Sequence, residues 1–225
     1  MKKLSILVFA TLLCTACLER QTTQTLYLAP DGSVTWEILE TGVRSSEQDR
    51  DTARREEADY LSAAAASNHD LARGLARLGS RPGTAVLRDV SPFTVHTRAR
   101  FPSGPALADV LQAELTGAVD IVLSREGARA RAEIHVNPEF DWESLDGSPL
   151  LALLTDTEDF RIVLTEGRFI EATGFAIVDP YTAILKPHGD GAEFALVWTT
   201  EPVAHASRPA PRRPQPHPRE DADRR

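Results

Sequence analysis

The chain has 225 residues, of which 42% are hydrophobic and 26% are charged, and its formal net charge is -8. This balance is ordinary for a globular protein and excludes collagen, a wholly disordered chain and a polytopic membrane protein. A nucleic-acid-binding domain normally carries the opposite sign of charge, so we expect no nucleic-acid partner. The length suits one medium domain or two small ones, either of which can bury a core without disulfide bonds.

The first 16 residues have the pattern of an export signal. Lys2 and Lys3 form a positive N-terminal region, Leu4–Leu13 is apolar, and the small residues Thr15 and Ala16 follow. The apolar run is shorter than the roughly 20 residues that span a bilayer. We therefore predict a signal peptide over residues 1–16 rather than a permanent transmembrane helix.

Both cysteines of the chain, Cys14 and Cys17, lie in this leader region. The run LCTAC that ends at Cys17 resembles the lipobox of bacterial lipoproteins, although Cys14 stands where that pattern usually has Leu, Val or Ile. The resemblance implies that Cys17 becomes an acylated N-terminus, with palmitate among its acyl chains, and that membrane lipid is a partner. Leu18, in place of Asp, further implies localisation in the cell envelope at the outer membrane. The alternative is an ordinary secretory signal that leaves Cys17 as a free thiol.

The first half of the remaining chain predicts a hairpin and two helices. After a short polar spacer that ends at residue 24, two β-prone runs flank the turn sequence Pro30-Asp31-Gly32-Ser33. A charged, alanine-rich segment without proline or glycine follows, and then a shorter leucine-bearing segment that ends at Gly79. The predicted elements are strands over 25–29 and 34–39, and helices over 46–66 and 71–78.

Alternation of apolar and polar residues predicts strands in the second half. On the strand over 94–101, Val95, Thr97 and Ala99 are expected to face the core. A helix over 105–115 is expected to begin at Ser103, because serine is a good N-cap. The other predicted elements are strands over 119–123, 128–136, 160–164, 169–178 and 192–200, and a short helix over 149–154.

These elements together predict an α+β fold: a mostly antiparallel sheet of about eight strands, with three or four helices packed on one face. We expect a single domain over residues 25–203, with 137–148 as the boundary if there are two subdomains. Residues 204–225 contain five prolines and six arginines and no large apolar residue. Such a segment cannot bury enough apolar surface to offset its ordering entropy, so we predict a disordered tail.

No common catalytic motif occurs in the sequence. The absence of cysteine from residues 18–225 also excludes disulfides, thiolate zinc sites and cysteine nucleophiles there. Side-chain oxygens alternate over 137–146 as in a calcium loop, but Trp142 occupies the glycine position and Ser148 the position of the bidentate glutamate. We therefore favour an acidic surface loop at this place, and expect no catalytic residue, no metal and no cofactor.

Four arginines are the candidate ligand-binding residues. Arg98 and Arg100 lie on one predicted strand, and Arg129 and Arg131 lie on another. If the two strands were neighbours, these side chains would form a basic strip suited to phosphate or carboxylate groups. The alternative is that each arginine pairs with a nearby acid on a solvated face.

Three functions are consistent with these residues. The favoured one is a non-enzymatic, lipid-anchored envelope protein that binds an anionic ligand or an envelope protein through its sheet face. The second is a scaffold or assembly factor that docks through the helical segment over 46–78. The third is a hydrolase that uses carboxylates together with His188, which lies beside Asp190 in a glycine-rich turn sequence.

Overall fold

The computed structural model of the protein describes residues 18–145, 148–155, 159–186 and 193–201. These residues form two β-sheets, four α-helices and one 3-10 turn. The strands are β1 (Leu18–Leu28), β2 (Val34–Ser45), β3 (Gly83–Arg88), β4 (Phe93–Phe101), β5 (Val119–Glu126), β6 (Arg129–Val136), β7 (Asp159–Leu164), β8 (Arg168–Thr173), β9 (Phe175–Asp179), β10 (Thr182–Leu185) and β11 (Glu193–Thr199). The helices are α1 (Arg50–Ala65), α2 (Asp70–Arg77), α3 (Gly104–Glu114) and α4 (Pro149–Thr155), and the 3-10 turn is Trp142–Leu145.

The strands form a larger sheet in the order β3-β4-β2-β1-β7-β10-β9 and a smaller sheet in the order β5-β6-β11-β8. Every pair is antiparallel except β1 and β7, which run parallel. The prediction of an α+β fold with mostly antiparallel sheet is confirmed. The predicted count of about eight strands in a single sheet is wrong, because the described residues contain 11 strands in two sheets. The predicted three or four helices correspond to two helices of more than ten residues, α1 and α3, and to the shorter α2 and α4.

The first hairpin forms where it was predicted, but its first strand is longer. Gly32 has a φ of 82°, and the Asp31 carboxylate accepts a hydrogen bond from the Ser33 backbone N–H at 2.9 Å. Residues 19–24, predicted as a spacer, belong to β1 and pair with β2. The strand was not predicted here because residues 19–24 are all polar and show no alternation with apolar residues. Gln24 is fully buried because its amide donates to the Leu153 carbonyl at 2.6 Å and accepts from the Trp36 indole N–H at 2.9 Å.

Two helices, α1 and α3, start at residues whose side chains cap the first turn. Asp49 precedes α1, and its carboxylate accepts from the Thr52 backbone N–H at 2.9 Å, so this helix starts four residues later than predicted. Ser103 precedes α3 and accepts from the Ala106 backbone N–H at 3.3 Å, which confirms the predicted cap. In both cases the cap satisfies a backbone donor that the first turn of a helix leaves without a partner.

The strand predicted over 169–178 is two strands in different sheets. The chain turns at Gly174, which has a φ of 73°, so that β8 joins the smaller sheet and β9 joins the larger one. A Cβ atom at Gly174 would lie 2.3 Å from the ring of Phe194. Periodicity alone could not reveal this break, because apolar residues continue on both sides of the glycine.

The core has three parts. One lies between the larger sheet and α2, α3 and α4 and includes Trp36, Ile38 and Leu75. A second lies between the two sheets and includes Ile162 and Leu196, and a third lies beneath α1. The two sheets are therefore joined by a shared core. Among the described residues, no helix is both long and apolar enough to cross a membrane.

Candidate functional site: an apolar cavity between the sheets

A cavity of about 360 Å³ lies between the two sheets, beneath α3 and beside the β1–β2 turn. It is partly enclosed and opens to solvent. Ligand-binding pockets span roughly 300–1,000 Å³ and are lined mainly by apolar side chains, so this cavity falls in their range. Residues that line it include Leu28, Leu111, Ile121, Ala132, Phe194 and Trp198.

Small residues on the inner face of β6 leave this space open. Ala130, Ala132 and Ile134 all line the cavity and alternate along β6 with outward polar residues. On the opposite side, α3 contributes Leu107, Ala108 and Leu111. Two alanines opposite a leucine-bearing helix do not fill the gap between the layers. The alternation of β6 was correctly predicted, but the unfilled volume depends on the packing of α3 against the smaller sheet.

Arginine occurs at two positions in an otherwise uncharged lining. Arg125 and Arg131 are the charged residues among the described residues that line the cavity. Arg125 is in phase along β5 with Ile121 and Leu123, which also line the cavity, and it donates to the Gly127 carbonyl at 3.1 Å. Arg131 alternates with the cavity-facing alanines of β6, and its guanidinium pairs with Glu133 on the outer face at 2.5 Å. The cavity is therefore suited to a molecule with a long apolar part and an anionic end.

The four arginines predicted as a ligand-binding strip are not brought together. Arg98 and Arg100 lie on β4 in the larger sheet, whereas Arg129 and Arg131 lie on β6 in the smaller sheet. The condition that the two strands are neighbours is thus not met, because β4 pairs with β2 and β3 and β6 pairs with β5 and β11. Arg98 lies 3.4 Å from Glu37, and Arg129 lies 3.3 Å from Glu171. Of the four, Arg131 is among the residues that line the cavity, and a ligand-binding role stays a prediction for all four.

Several other predicted positions fall outside the described residues: Cys17, His188, Asp190 and the tail over 204–225. The acidic loop is described except for residues 146 and 147. Two of its side-chain oxygens accept hydrogen bonds from the backbone: Asn137 accepts from the Glu139 N–H at 3.0 Å, and Asp141 accepts from the Glu143 N–H at 3.2 Å. Across the residues that the structure describes, no group of three His, Cys, Asp or Glu side chains is placed to hold a metal ion.

A buried polar cluster lies under α1 and α2, at the opposite end of the larger sheet from the cavity. Glu40 on β2 is completely buried, and its carboxylate oxygens lie 3.2 Å from the Arg20 guanidinium and 3.1 Å from Nε2 of His69. Thr97 lies 3.3 Å from the same imidazole nitrogen. The ring of Tyr60 meets the His69 ring edge to face, with centroids 5.8 Å apart. This cluster was not predicted from the sequence, since its members come from five separate elements or loops.

Comparison with known proteins does not assign this chain to a family. No family model matches the sequence, and no curated protein matches it. The chain is similar to the NMR structure of the folded domain of LppM from Mycobacterium tuberculosis, with 14% sequence identity and a TM-score of 0.39. The similarity covers 81% of this chain and 91% of that one. A likeness at this level carries no conclusion about function.

Tyr60 provides a pH-dependent signature of the buried cluster. Burial, with the negative charge of Glu40 next in importance, raises the pKa of Tyr60 well above its usual range. The folded state thus keeps the phenolic proton to higher pH than the unfolded state does. The contribution of Tyr60 to the free energy of unfolding is therefore fully present below about pH 10, the pKa of tyrosine in the unfolded chain. Above that pH the free energy of unfolding decreases, by at most about 1.4 kcal/mol per pH unit.

We expect Tyr60→Phe to flatten this alkaline loss. The measurement is urea unfolding at several values between pH 8 and pH 11. Tyr181, which is half-buried in the β9–β10 turn, provides the control variant Tyr181→Phe. Equal slopes for the wild type and both variants would show that Tyr60 does not contribute to the alkaline transition.

Proposed function

We propose that this protein is a lipid-anchored, non-enzymatic protein of the cell envelope that binds an amphiphile in the cavity between its sheets. The observation that carries the proposal is the cavity itself, with its aliphatic and aromatic lining and a volume of about 360 Å³. An engineered apolar cavity of about 150 Å³ already binds benzene, so a larger one that opens to solvent is well suited to a hydrocarbon chain. An acyl chain is the ligand class that fits this lining best.

Arg125 supports an anionic head group. It lies in the cavity lining on an exposed strand end, and guanidinium groups bind carboxylates and phosphates through paired hydrogen bonds. The apolar chain would be desolvated inside, while its charged end would remain near solvent. This retains the predicted anionic ligand but moves its site from an arginine strip on the sheet to the edge of the cavity.

The cavity can be tested by filling it. Ala132→Phe places a ring in the lining, whereas Ala85→Phe adds the same ring at an exposed position on β3. We expect the Cys17→Ser chain, which needs no detergent, to bind the fluorescent fatty acid cis-parinaric acid. Ala132→Phe should weaken that binding at least tenfold, and Ala85→Phe should leave it unchanged. No binding by the parent chain, or equal binding by all three, would contradict the proposal.

The anchor is supported by the leader sequence and is tested separately. The mass of the N-terminal peptide, from protein purified out of native membranes, should correspond to an acylated Cys17. An unmodified Cys17, or a different N-terminus, would make the protein an unanchored exported one. The cavity would then remain, but membrane lipid would no longer be a partner through Cys17. The outer membrane as the destination is part of the same proposal, and fractionation of the two membranes tests it.

The other predicted functions stay predictions. A scaffold would use the outer surface of α1 and α2, and co-purification of a stoichiometric partner would support it. A hydrolase would use His188, which lies outside the described residues. The geometry of the described residues favours neither of these over the cavity.

A further inference from the structure

The chain is fixed in the fold right up to its first described residue. Leu18 begins β1, pairs with Ser45 of β2, and packs against the core cluster that contains Val43 and Phe93. If Cys17 carries acyl chains, no flexible linker separates the bilayer from the sheet. The end of the larger sheet that contains Leu18 must then lie against the membrane surface.

The strand pairing identifies what else lies at that end. Val43 of β2 is opposite Phe93 at the start of β4, and Thr94 is opposite Arg88 at the end of β3. The β3–β4 turn therefore projects from the same end of the sheet as Leu18. The two are three strand spacings apart, a lateral distance of about 14 Å.

This turn presents apolar side chains to solvent. Leu87 is 62% exposed and Val90 is 63% exposed, the highest values among the large hydrophobic residues that the structure describes. Isolated exposed aliphatic residues are common on protein surfaces. Here, however, two of them flank one turn beside the attachment point. The charges nearby are of both signs, Arg44 being paired with Glu19 at 2.7 Å.

We propose that the β3–β4 turn inserts Leu87 and Val90 into the surface of the bilayer to which Cys17 is anchored. This inference rests on the proposed lipid anchor. The acyl chains and the turn then form two attachment points about 14 Å apart, which fix the orientation of the domain instead of letting it rotate about a single tether. The occupant of this surface is the phospholipid bilayer, and no strong preference for anionic lipid is expected because the nearby charges are mixed.

The orientation also sets the position of the cavity. Leu28, at the far end of β1, lines the cavity and lies about 33 Å along the strand from Leu18. The cavity would thus be held away from the supporting bilayer. Its ligand would arrive from the aqueous side or from a partner, and not from the acyl chains on Cys17.

The test uses two exposed valines at opposite ends of the larger sheet. Val90 lies in the β3–β4 turn, and Val178, 55% exposed, lies on β9 near the Asp179–Thr182 pair at the Leu28 end. No cysteine occurs after Cys17, so Val90→Cys and Val178→Cys each give one labelling site once Cys17 is acylated. Each acylated protein is labelled with a polarity-sensitive fluorophore and reconstituted into phosphatidylcholine vesicles with or without brominated acyl chains.

We expect the brominated lipid to quench the label at position 90 at least twofold and to leave the label at position 178 unchanged. Flotation of the vesicles shows independently whether the protein is attached to them through its acyl chains. Protein that floats with the vesicles while its position-90 label stays unquenched, or is quenched no more than the position-178 label, would overturn this inference and leave the anchor intact. Protein that does not float would overturn both.

Discussion

Replacement of Gly167 by alanine is expected to lower the free energy of unfolding by about 3 kcal/mol. Gly167 lies in the turn between β7 and β8 and has a φ of 89°, a conformation that disfavours any residue with a Cβ atom. A Cβ atom at this position would lie 1.8 Å from the backbone carbonyl oxygen of Thr199. The clash involves backbone at the end of β11 and cannot be relieved by a rotamer change.

Gly127 provides the matched control for this prediction. It also lies in a hairpin turn with a positive φ, of 59°, but no atom lies within 4 Å of the position of its Cβ. Gly127→Ala should therefore cost only the backbone strain, about 1 kcal/mol. Urea unfolding followed by far-UV circular dichroism measures both variants. Equal losses of stability would show that the close approach of β11 to the β7–β8 turn does not contribute.

A second large effect is expected from Arg20→Met. This substitution removes the cation that lies 3.2 Å from the fully buried carboxylate of Glu40. Removing one partner from a buried ion pair leaves an uncompensated charge in a low-dielectric environment and typically costs about 3–5 kcal/mol. We expect a loss of that size, measured as the decrease in the urea midpoint at constant slope.

Two further variants show whether burial of the ion pair causes the loss of stability in Arg20→Met. Arg44→Met disrupts the pair between Arg44 and Glu19 on the same two strands, where both side chains are more than half exposed, and should change stability by less than about 1 kcal/mol. The double variant Arg20→Met with Glu40→Met removes both buried charges and should be more stable than Arg20→Met alone. The single variant Glu40→Met completes the comparison. If the double variant lost as much stability as Arg20→Met and Glu40→Met lose together, the two side chains would not be coupled as a buried ion pair.

Local features of the fold were largely predictable from the sequence. Ser103 caps α3, Gly79 follows α2 with a φ of 86°, and the Pro30–Ser33 turn joins β1 to β2. The alternation on β4 also held, since Val95, Thr97 and Ala99 are almost completely buried. These features depend on side chains and backbone conformations within a few residues of each other, so a sequence window contains the information that determines them.

Elements whose stability depends on distant partners were missed or misplaced. The start of β1 contains Thr22 and Gln24, which are buried because strands and helices far along the chain satisfy or enclose them. The short strands β3 and β10 were not predicted, because each is held by pairing with strands that the sequence pattern does not specify. Gly174 redirects the chain between sheets without changing the apolar pattern on either side.

The sequence by itself predicted an export leader with a lipobox-like run, and it determined the absence of cysteine from residues 18–225 and the alternation that places arginines on one face of β4 and of β6. The tertiary structure alone decided that these arginines lie in separate sheets, that Glu40 is buried between Arg20 and His69, and that a cavity remains beside Ala132. The physical reason is that side-chain direction follows from local backbone periodicity. Strand order, buried ion pairs and unfilled volume arise only when segments that are far apart in the sequence pack against each other.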